Sequence, residues 1–290
     1  MRVYSILIFL LVIGLSIGII VFTGCGDDDD NDSAGDDDGG GGDDDDDNGG
    51  GNSISAYVHD FQTKQPVQDA LVQLVDNTTG EPIPGFEQTS PADGKVVFTG
   101  LSDYDLVGVK VSKSSFKNTY QYDFNVGAQD EEFLIVSDST ASIVALVLQV
   151  DLDPTKGFAA GGIYWGDPTD ENPVGCAIVQ TDPMPNSGIF YFGNDNLPTQ
   201  DRNVVNPLAP ANGTGVNPAN GYWVGMNMET GKVDVTAATA WEDQDGTLVP
   251  AGTFETTTIP AVFPDSVCIA NVYFSKDKYD ANPSETWCTQ

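Results

Sequence analysis

The chain contains a single histidine, His59, and this limits the chemistry that its side chains can perform. A catalytic zinc site of the peptidase type uses two histidines and a carboxylate, and the sequence has no second histidine. A Ser-His-Asp triad would have to use His59, which lies in a strand-like stretch, and no Gly-x-Ser-x-Gly motif accompanies it. A lone histidine in a strand is usually structural. These observations favour a protein that is not an enzyme.

Aromatic residues suggest a second kind of chemistry, the stacking of sugar rings. Tyr and Trp gather between residues 164 and 223, and exposed rings beside Asn and Asp side chains commonly bind carbohydrates. Because adjacent residues of a strand point to opposite faces, only one residue of each Tyr-Trp pair can face outward. Packing in a core is the alternative for each ring. The candidate ligand-binding residues are Trp165, Tyr191 and Trp223.

Carboxylates are too numerous for any pair of them to identify a site, with 44 Asp and Glu against 11 Lys and Arg. Residues 242–246 (Glu-Asp-Gln-Asp-Gly) resemble half of a calcium loop, but the full spacing would place Trp241 at the first ligand position. An Asp-Gly hairpin turn explains the same residues. No metal site and no cofactor is predicted. Calcium between two acidic modules stays an alternative.

The N-terminus has the features of an export signal that ends at a cysteine. A positive charge precedes an apolar run over residues 3–21, and small residues precede Cys25. Residues 22–25 (Phe-Thr-Gly-Cys) resemble the lipobox of bacterial lipoproteins. The resemblance implies a signal peptide over residues 1–24, acylation of Cys25 and, because Gly26 stands where inner-membrane retention uses Asp, a lipid anchor in the outer membrane. An uncleaved membrane-spanning helix is the alternative, since about 20 apolar residues span a bilayer.

Export also guides the interpretation of the other cysteines, because disulfides form outside the cytoplasm. With Cys25 acylated, three of the four cysteines remain, which gives one disulfide and one thiol. Cys268 alternates with apolar residues and is predicted to be a small buried core residue. By elimination, the predicted disulfide joins Cys176 and Cys288.

Residues 25–53 are predicted to form a disordered tether behind the lipid. They are almost wholly Asp, Gly and Asn, and they cannot bury enough apolar surface to offset the entropy of ordering. A flexible chain of this length has an r.m.s. span of about 30 Å. Thirteen of the 44 acidic residues lie between residues 27 and 47, so the rest of the chain is acidic in its own right. Such a surface repels phosphate, and no nucleic-acid partner is expected.

The remaining sequence predicts a mainly β fold. Short runs of alternating apolar and polar residues are separated by Gly, Pro, Asn and Asp, which is typical of antiparallel strands. The chain also matches itself: residues 66–72 and 173–179 share four identical positions, and Pro-Ala-Asp-Gly at 91–94 recurs as Pro-Ala-Asn-Gly at 218–221. Two modules of one type explain these repeats. The predicted strands include residues 55–59, 70–75, 95–99 and 106–112.

At these residues the chain resembles the carboxypeptidase regulatory-like domain, a prealbumin-like (transthyretin-like) β-sandwich. The family's pattern of Pro-Val, a small residue, Asp-Gly and Gly-Leu is complete in the first module, whereas the second has Asn-Met where Gly-Leu is expected. The resemblance implies two antiparallel β-sandwiches, at residues 54–128 and 159–290. Because related folds include starch-binding domains, it also implies that carbohydrate binding lies within the range of the family.

The linker between the modules, residues 129–158, is predicted to contain a short helix. Ser137 offers an N-cap and Asp153-Pro154 a stop, although a buried strand would also suit the high valine content. The helix is expected to dock between the sandwiches through the apolar face made by Ile143, Val144, Leu146, Val147 and Val150.

The sequence as a whole predicts a non-catalytic lipoprotein of the bacterial cell envelope, anchored in the outer membrane by its lipid. Its sandwiches are expected to bind an envelope polysaccharide or an envelope protein. The first alternative is an architectural spacer without a ligand. The second is a hydrolase that uses paired carboxylates.

Overall fold

The computed structural model of the protein describes residues 52–165, 172–173, 177–192, 198, 221–242 and 248–274. Within these residues the protein is mainly β with one short helix, and the predicted fold class is confirmed. No helix in these ranges has the length and the apolar character needed to cross a membrane.

The first half of the described chain forms a sandwich of two sheets. Its strands are β1 (Ser53–Asp60), β2 (Leu71–Asp76), β3 (Pro82–Thr89), β4 (Lys95–Thr99), β5 (Leu106–Ser112), β6 (Asn118–Asn125) and β7 (Glu131–Ile135). One sheet has the order β4-β1-β7, and the strands facing it have the order β3-β2-β5-β6. Four of these strands, β1, β2, β4 and β5, correspond to strands predicted from the sequence.

Alternating apolar residues explain how these strands pair and pack. On β5, Val107, Val109 and Val111 are 0% exposed and lie in the core between the sheets. The Asp-Gly turn before β4 requires a glycine, because Gly94 has a φ of +77° and a Cβ there would lie 2.8 Å from the carbonyl oxygen of Val58. The local pattern and the turn therefore agree with the sandwich.

The second half repeats this arrangement. Its strands are β8 (Gly157–Trp165), β9 (Asn172–Pro173), β10 (Ala177–Asp182), β11 (Ile189–Tyr191), β12 (Tyr222–Met228), β13 (Gly231–Glu242), β14 (Leu248–Val262), β15 (Ser266–Ile269) and β16 (Val272–Phe274). Strand β8 is antiparallel to β12 and parallel to β15, as β1 is antiparallel to β4 and parallel to β7. The facing sheet, β10-β13-β14, is antiparallel throughout. The two halves thus share the strand directions around β1 and β8, and the division into two modules of one type stays a prediction.

One sheet continues through both halves, because β15 lies between β6 of the first half and β8 of the second. It is parallel to both strands, with Cys268 opposite Tyr120 on one side and Ala159 on the other. The sheets are therefore mixed, whereas the sequence predicted antiparallel sandwiches. The difference arises because β15 joins strands that are distant in sequence, and local patterns carry no information about such pairings.

Side chains of β6 add further contacts across this junction. The hydroxyl of Tyr122 donates a hydrogen bond to the carbonyl oxygen of Ala261 at 3.0 Å. The ring of Tyr120 stacks on Phe263 with a centroid distance of 4.6 Å. These contacts make the two halves parts of one packed body.

The predicted helix is present as α1 (Asp138–Leu148). The Ser137 hydroxyl caps it by accepting a hydrogen bond from the Thr140 amide at 3.1 Å, and Gln149 ends it in the left-handed conformation. The helix docks by a face that overlaps only partly with the one predicted. Ala141, Ala145 and Leu148 are buried, and the predicted residues Val144 and Val150 pack, partly buried, against the same cluster. The other three predicted docking residues, Ile143, Leu146 and Val147, are exposed. Small alanines allow the helix to approach the sheet closely, and this favours the alanine face.

Candidate functional site

A cleft of about 370 Å³ opens where the two halves meet. We call it the junction cleft. Its walls come from residues 121–125 of β6, from β7, from residues 257–259 of β14 and from residues 269–273 around β15 and β16. A volume of this size lies in the range of pockets that bind small ligands. The groups that line it include carboxylates, amides, hydroxyls and aromatic rings.

An irregularity in β6 shapes the first wall. The pairing of β5 and β6 shifts register between Val107 and Val109, and Asp123 on β6 adopts a φ of +68°. Asn77 holds this conformation, because its side-chain amide donates to the Asp123 carboxylate and its oxygen accepts from the Asp123 amide, each at 2.8 Å. The following residues, Phe124 and Asn125, line the cleft.

Glu131 stands at the start of β7, half-buried in the same wall. Burial removes water from its carboxylate and raises the pKa of Glu131 above the ordinary value of a glutamate. Among the described residues, no ion pair and no hydrogen bond reaches this carboxylate. Its neighbour Glu132 is different, because the Glu132 carboxylate lies 3.1 Å from both Lys64 Nζ and His59 Nδ1.

The second wall is fixed by hydrogen bonds around Asn271. The side-chain oxygen of Asn271 accepts a hydrogen bond from the Gly162 amide at 2.8 Å, and its nitrogen donates to the Tyr273 hydroxyl at 3.3 Å. The Tyr273 ring stacks on Tyr164 with a centroid distance of 5.5 Å. The chain can pass this closely only because Gly161 is a glycine: a Cβ there would lie 1.8 Å from the carbonyl oxygen of Ala270. These contacts hold the side chains of Asn271 and Tyr273 in place at the cleft.

Threonines of β14 complete the cleft. The Thr258 hydroxyl donates to the Asp234 carboxylate at 2.7 Å. Lys232 and Thr258 together lower the pKa of Asp234. Thr257 lies on the same stretch of β14 and also lines the cleft. The site thus contains both hydrogen-bond donors and acceptors next to aromatic rings.

Two of the three aromatic residues predicted to bind a ligand lie in the core instead. Trp223 is 0% exposed and Tyr191 is 3% exposed. The Tyr191 hydroxyl accepts a hydrogen bond from the Val179 amide at 2.7 Å, which is a structural role. Both rings belong to the core cluster of the second half, and Trp223 also borders a small apolar space beneath α1. Trp165 ends β8, and its side chain lies outside the described residues.

The single histidine lies outside the cleft in a small charged group. His59 Nδ1 is 3.1 Å from Glu132, and the imidazole stacks on the Tyr57 ring with a centroid distance of 6.1 Å. These contacts fit the structural role that the sequence favoured.

Cys268 is a buried free thiol, as predicted. Its sulfur donates to the Ala261 carbonyl at 3.4 Å, and burial raises the pKa of the Cys268 thiol to about 12. The other three cysteines, Cys25, Cys176 and Cys288, lie outside the described residues. Acylation of Cys25 and the disulfide between Cys176 and Cys288 therefore stay predictions.

Within the described ranges, no group of three or more His, Cys, Asp and Glu side chains could hold a metal ion. The calcium-like segment continues into residues 243–247, which the structure does not describe. A second space, of about 60 Å³, lies beneath α1 between apolar residues such as Val144 and Val224. It has room for only a few water-sized groups, so the junction cleft is the better candidate site.

The chain matches no family model and no curated protein. Among solved structures, it is similar to the pilus 2b backbone protein of group B streptococcus, with 15% identity over 31% of this chain and 43% of that one, at a TM-score of 0.24. It is similar to the TIE protein of Bacillus anthracis, with 13% identity over 78% and 34% of the two chains, at a TM-score of 0.21. The match to BcpA, the major pilin subunit of Bacillus cereus, has 10% identity over 78% and 99%, at a TM-score of 0.25.

The match spans less than half of the length of the first two of these proteins. TM-scores this low do not indicate a shared function. The function is therefore inferred from the residues of the chain itself.

Proposed function

We propose that the protein is a non-catalytic lipoprotein of the bacterial cell envelope, anchored in the outer membrane through Cys25, and that its junction cleft binds an envelope polysaccharide. The single observation that carries the binding proposal is the composition of the cleft. Asn125, Thr257 and Asn271 offer amide and hydroxyl groups, and Phe124 and Tyr273 add aromatic rings in the same 370 Å³ space. Sugars combine hydroxyl groups with apolar ring faces, and this mixture of side chains suits both.

The state of the cleft carboxylates supports binding without catalysis. A glycoside hydrolase needs two carboxylates that flank the scissile bond, one as an acid and one as a base or nucleophile. Asp123 is exposed, and its carboxylate accepts a hydrogen bond from the Asn77 side-chain amide at 2.8 Å. The third lining carboxylate, Glu132, is paired with Lys64 and His59, so both potential partners of Glu131 are already engaged by other side chains.

The anchor is supported by the sequence of residues 22–25 and by the acidic segment that follows them. A tether with an r.m.s. span of about 30 Å would hold the sandwiches away from the membrane surface. The acidity of the chain, with a net charge of −33, disfavours contact with anionic lipid heads and with nucleic acid. We therefore expect the protein to contact the membrane only through its lipid.

A glycan array tests the binding proposal directly. The full chain in detergent is expected to bind one class of polysaccharide fragment, and Asn125→Ala is expected to weaken the signal. Asn118→Ala is the matched control, because Asn118 is exposed at the opposite end of the same strand. A blank array would favour the ligand-free spacer. Release of new reducing ends from a bound fragment would contradict the non-catalytic role.

The anchor has its own test. Cys25→Ser is expected to move the protein from the membrane fraction to the soluble fraction, or to leave an uncleaved precursor of higher mass. If the variant stays in the membrane fraction at the mass of the mature protein, the lipid-anchor proposal is wrong.

A further inference from the structure

The charged side chains that line the junction cleft are all acidic. Asp123 and Glu131 line it together with Glu132, whereas none of its described lining residues is Lys, Arg or His. Two of the three carboxylates already have partners: Glu132 is paired with Lys64 and His59, and Asp123 with the Asn77 amide. Among the described residues that line the cleft, Glu131 is the carboxylate for which no ion pair or hydrogen bond is present.

An unpaired and partly buried carboxylate is unfavourable until an opposite charge or a hydrogen-bond donor reaches it. A ligand that carries a positive charge would provide both at once. An anionic ligand would meet the like charge of these three carboxylates. The aromatic rings of Phe124 and Tyr273 line the same space and attract cations through their faces.

The neighbouring strand edge argues against a peptide as the source of the positive charge. One common way for a peptide to bind beside a sheet is to add a strand to an open edge. The outer edge of β7 is already covered, because Leu134 donates to the Gln121 side chain at 2.6 Å and Val136 to the Thr119 hydroxyl at 3.1 Å. Amides and hydroxyls on both walls instead suit a polyol.

We propose that the junction cleft selects sugars that carry a protonated primary amine, and that the Glu131 carboxylate receives this ammonium group. This inference rests on the proposed function, since it names the sugar chemistry of the same cleft. Ammonium binding by Glu131 is noncovalent and exchanges the water that remains around the carboxylate for a charge-assisted hydrogen bond.

The test compares two probes of equal length with the full chain in detergent. A tetramer of β-1,4-linked glucosamine and the corresponding tetramer of N-acetylglucosamine are titrated by calorimetry at about pH 6, where amines are protonated and most carboxylates are ionised. The amine form is expected to bind at least about tenfold more tightly, as a charge-assisted hydrogen bond allows. Glu131→Gln is expected to bring the ratio of the two dissociation constants close to one.

The control variant is Glu87→Gln, since Glu87 is exposed on β3, away from the cleft, and its removal changes the net charge equally. It is expected to keep the preference of the natural chain. Since Glu131 loses no ion pair or hydrogen bond to a described residue, Glu131→Gln should fold normally, and Glu131→Ala provides a second variant. If both probes bind equally, or the acetylated one binds better, amine selection is overturned while the proposed function stands.

Two other outcomes would be decisive. If neither probe binds and the array is also blank, the proposed function itself fails. If a lysine tetrapeptide binds as tightly as the glucosamine tetramer and loses its affinity with Glu131→Gln, the ligand is a protein side chain, and the assignment to a sugar is wrong.

Discussion

The side-chain amide of Gln121 takes the place of a neighbouring strand beside Leu134. The Leu134 amide donates to the Gln121 side-chain oxygen at 2.6 Å, and the Gln121 nitrogen reaches the Glu132 carbonyl at 3.4 Å. Gln121 thereby satisfies the outer edge of β7 and connects the two sheets of the first sandwich. Both Gln121 and Leu134 also line the junction cleft, so this contact shapes the site as well as the fold.

Gln121→Ala is expected to destabilise the protein by about 1–3 kcal/mol, because it leaves the buried Leu134 amide without a partner. Urea unfolding followed by circular dichroism measures the change. Gln73→Ala is the control: its side chain bonds to Glu87 on the exposed surface, and the change should stay within about 0.5 kcal/mol. If both variants change the free energy of unfolding equally, the hydrogen bond between Gln121 and Leu134 adds no more stability than a surface contact.

The junction predicts that both halves unfold together. All four tryptophans follow residue 157 in the sequence, and the buried Trp223 lies in the second half, so tryptophan fluorescence reports on that half while far-ultraviolet circular dichroism reports on both. The two signals are expected to give one midpoint in urea. Tyr122→Phe removes the hydrogen bond to Ala261 and should lower that shared midpoint, by about 1 kcal/mol of stability, without separating the signals. Two separate midpoints would mean that the halves are independent.

Tyr191 is expected to matter for stability and not for ligand binding. Tyr191→Phe leaves the Val179 amide unpaired in the core, at a cost of about 1–3 kcal/mol. Tyr104→Phe is a suitable control, because Tyr104 is only half-buried and packs its ring edge against Phe86. A Tyr191→Phe variant with full stability and weakened sugar binding would restore the role that the sequence predicted for this ring.

Alkaline conditions should destabilise the folded state. Burial raises the pKa values of Tyr120, Tyr191 and the Cys268 thiol to about 12 each. In the unfolded chain these groups ionise near pH 10 for tyrosine and about 8.5 for cysteine. Between about pH 9 and pH 12 the unfolded chain therefore holds fewer protons than the folded one, and stability falls as pH rises.

Urea unfolding at about pH 7 and about pH 10.5 measures this loss, which should reach at least about 1 kcal/mol. The absorbance of tyrosinate gives an independent record, because the buried tyrosines should ionise only as the protein unfolds. A constant free energy of unfolding over this range would contradict the burial of these three groups.

Local sequence patterns predicted much of the fold. Strands β1, β2, β4 and β5 follow from alternation and from turns such as Asp93-Gly94, and α1 follows from its Ser137 cap. Strands β3, β6 and β7 were not among the named strands; in β3, Pro82, Pro84 and Gly85 interrupt the pattern and most residues are exposed. Because most residues of an edge strand are exposed, its apolar and polar residues do not alternate clearly. Alternation therefore does not identify such a strand.

The binding site was less predictable. Alternation indicates that Tyr222 and Trp223 face opposite ways, but it does not say which of them faces the core. The junction cleft depends on β15 reaching β6 across a large sequence separation. Its residues, such as Asn125 and Glu131, belong to no motif, and only the folded arrangement brings them together.

Hydrogen exchange with mass spectrometry tests the central claim, that the junction cleft is the binding site, most directly. The full chain is compared with and without the oligosaccharide that gives the strongest array signal. Slower exchange is expected in peptides that contain residues 121–125 and 269–273, with little change in β3 or α1. Protection confined to other regions, or no protection at saturating ligand, would contradict the account.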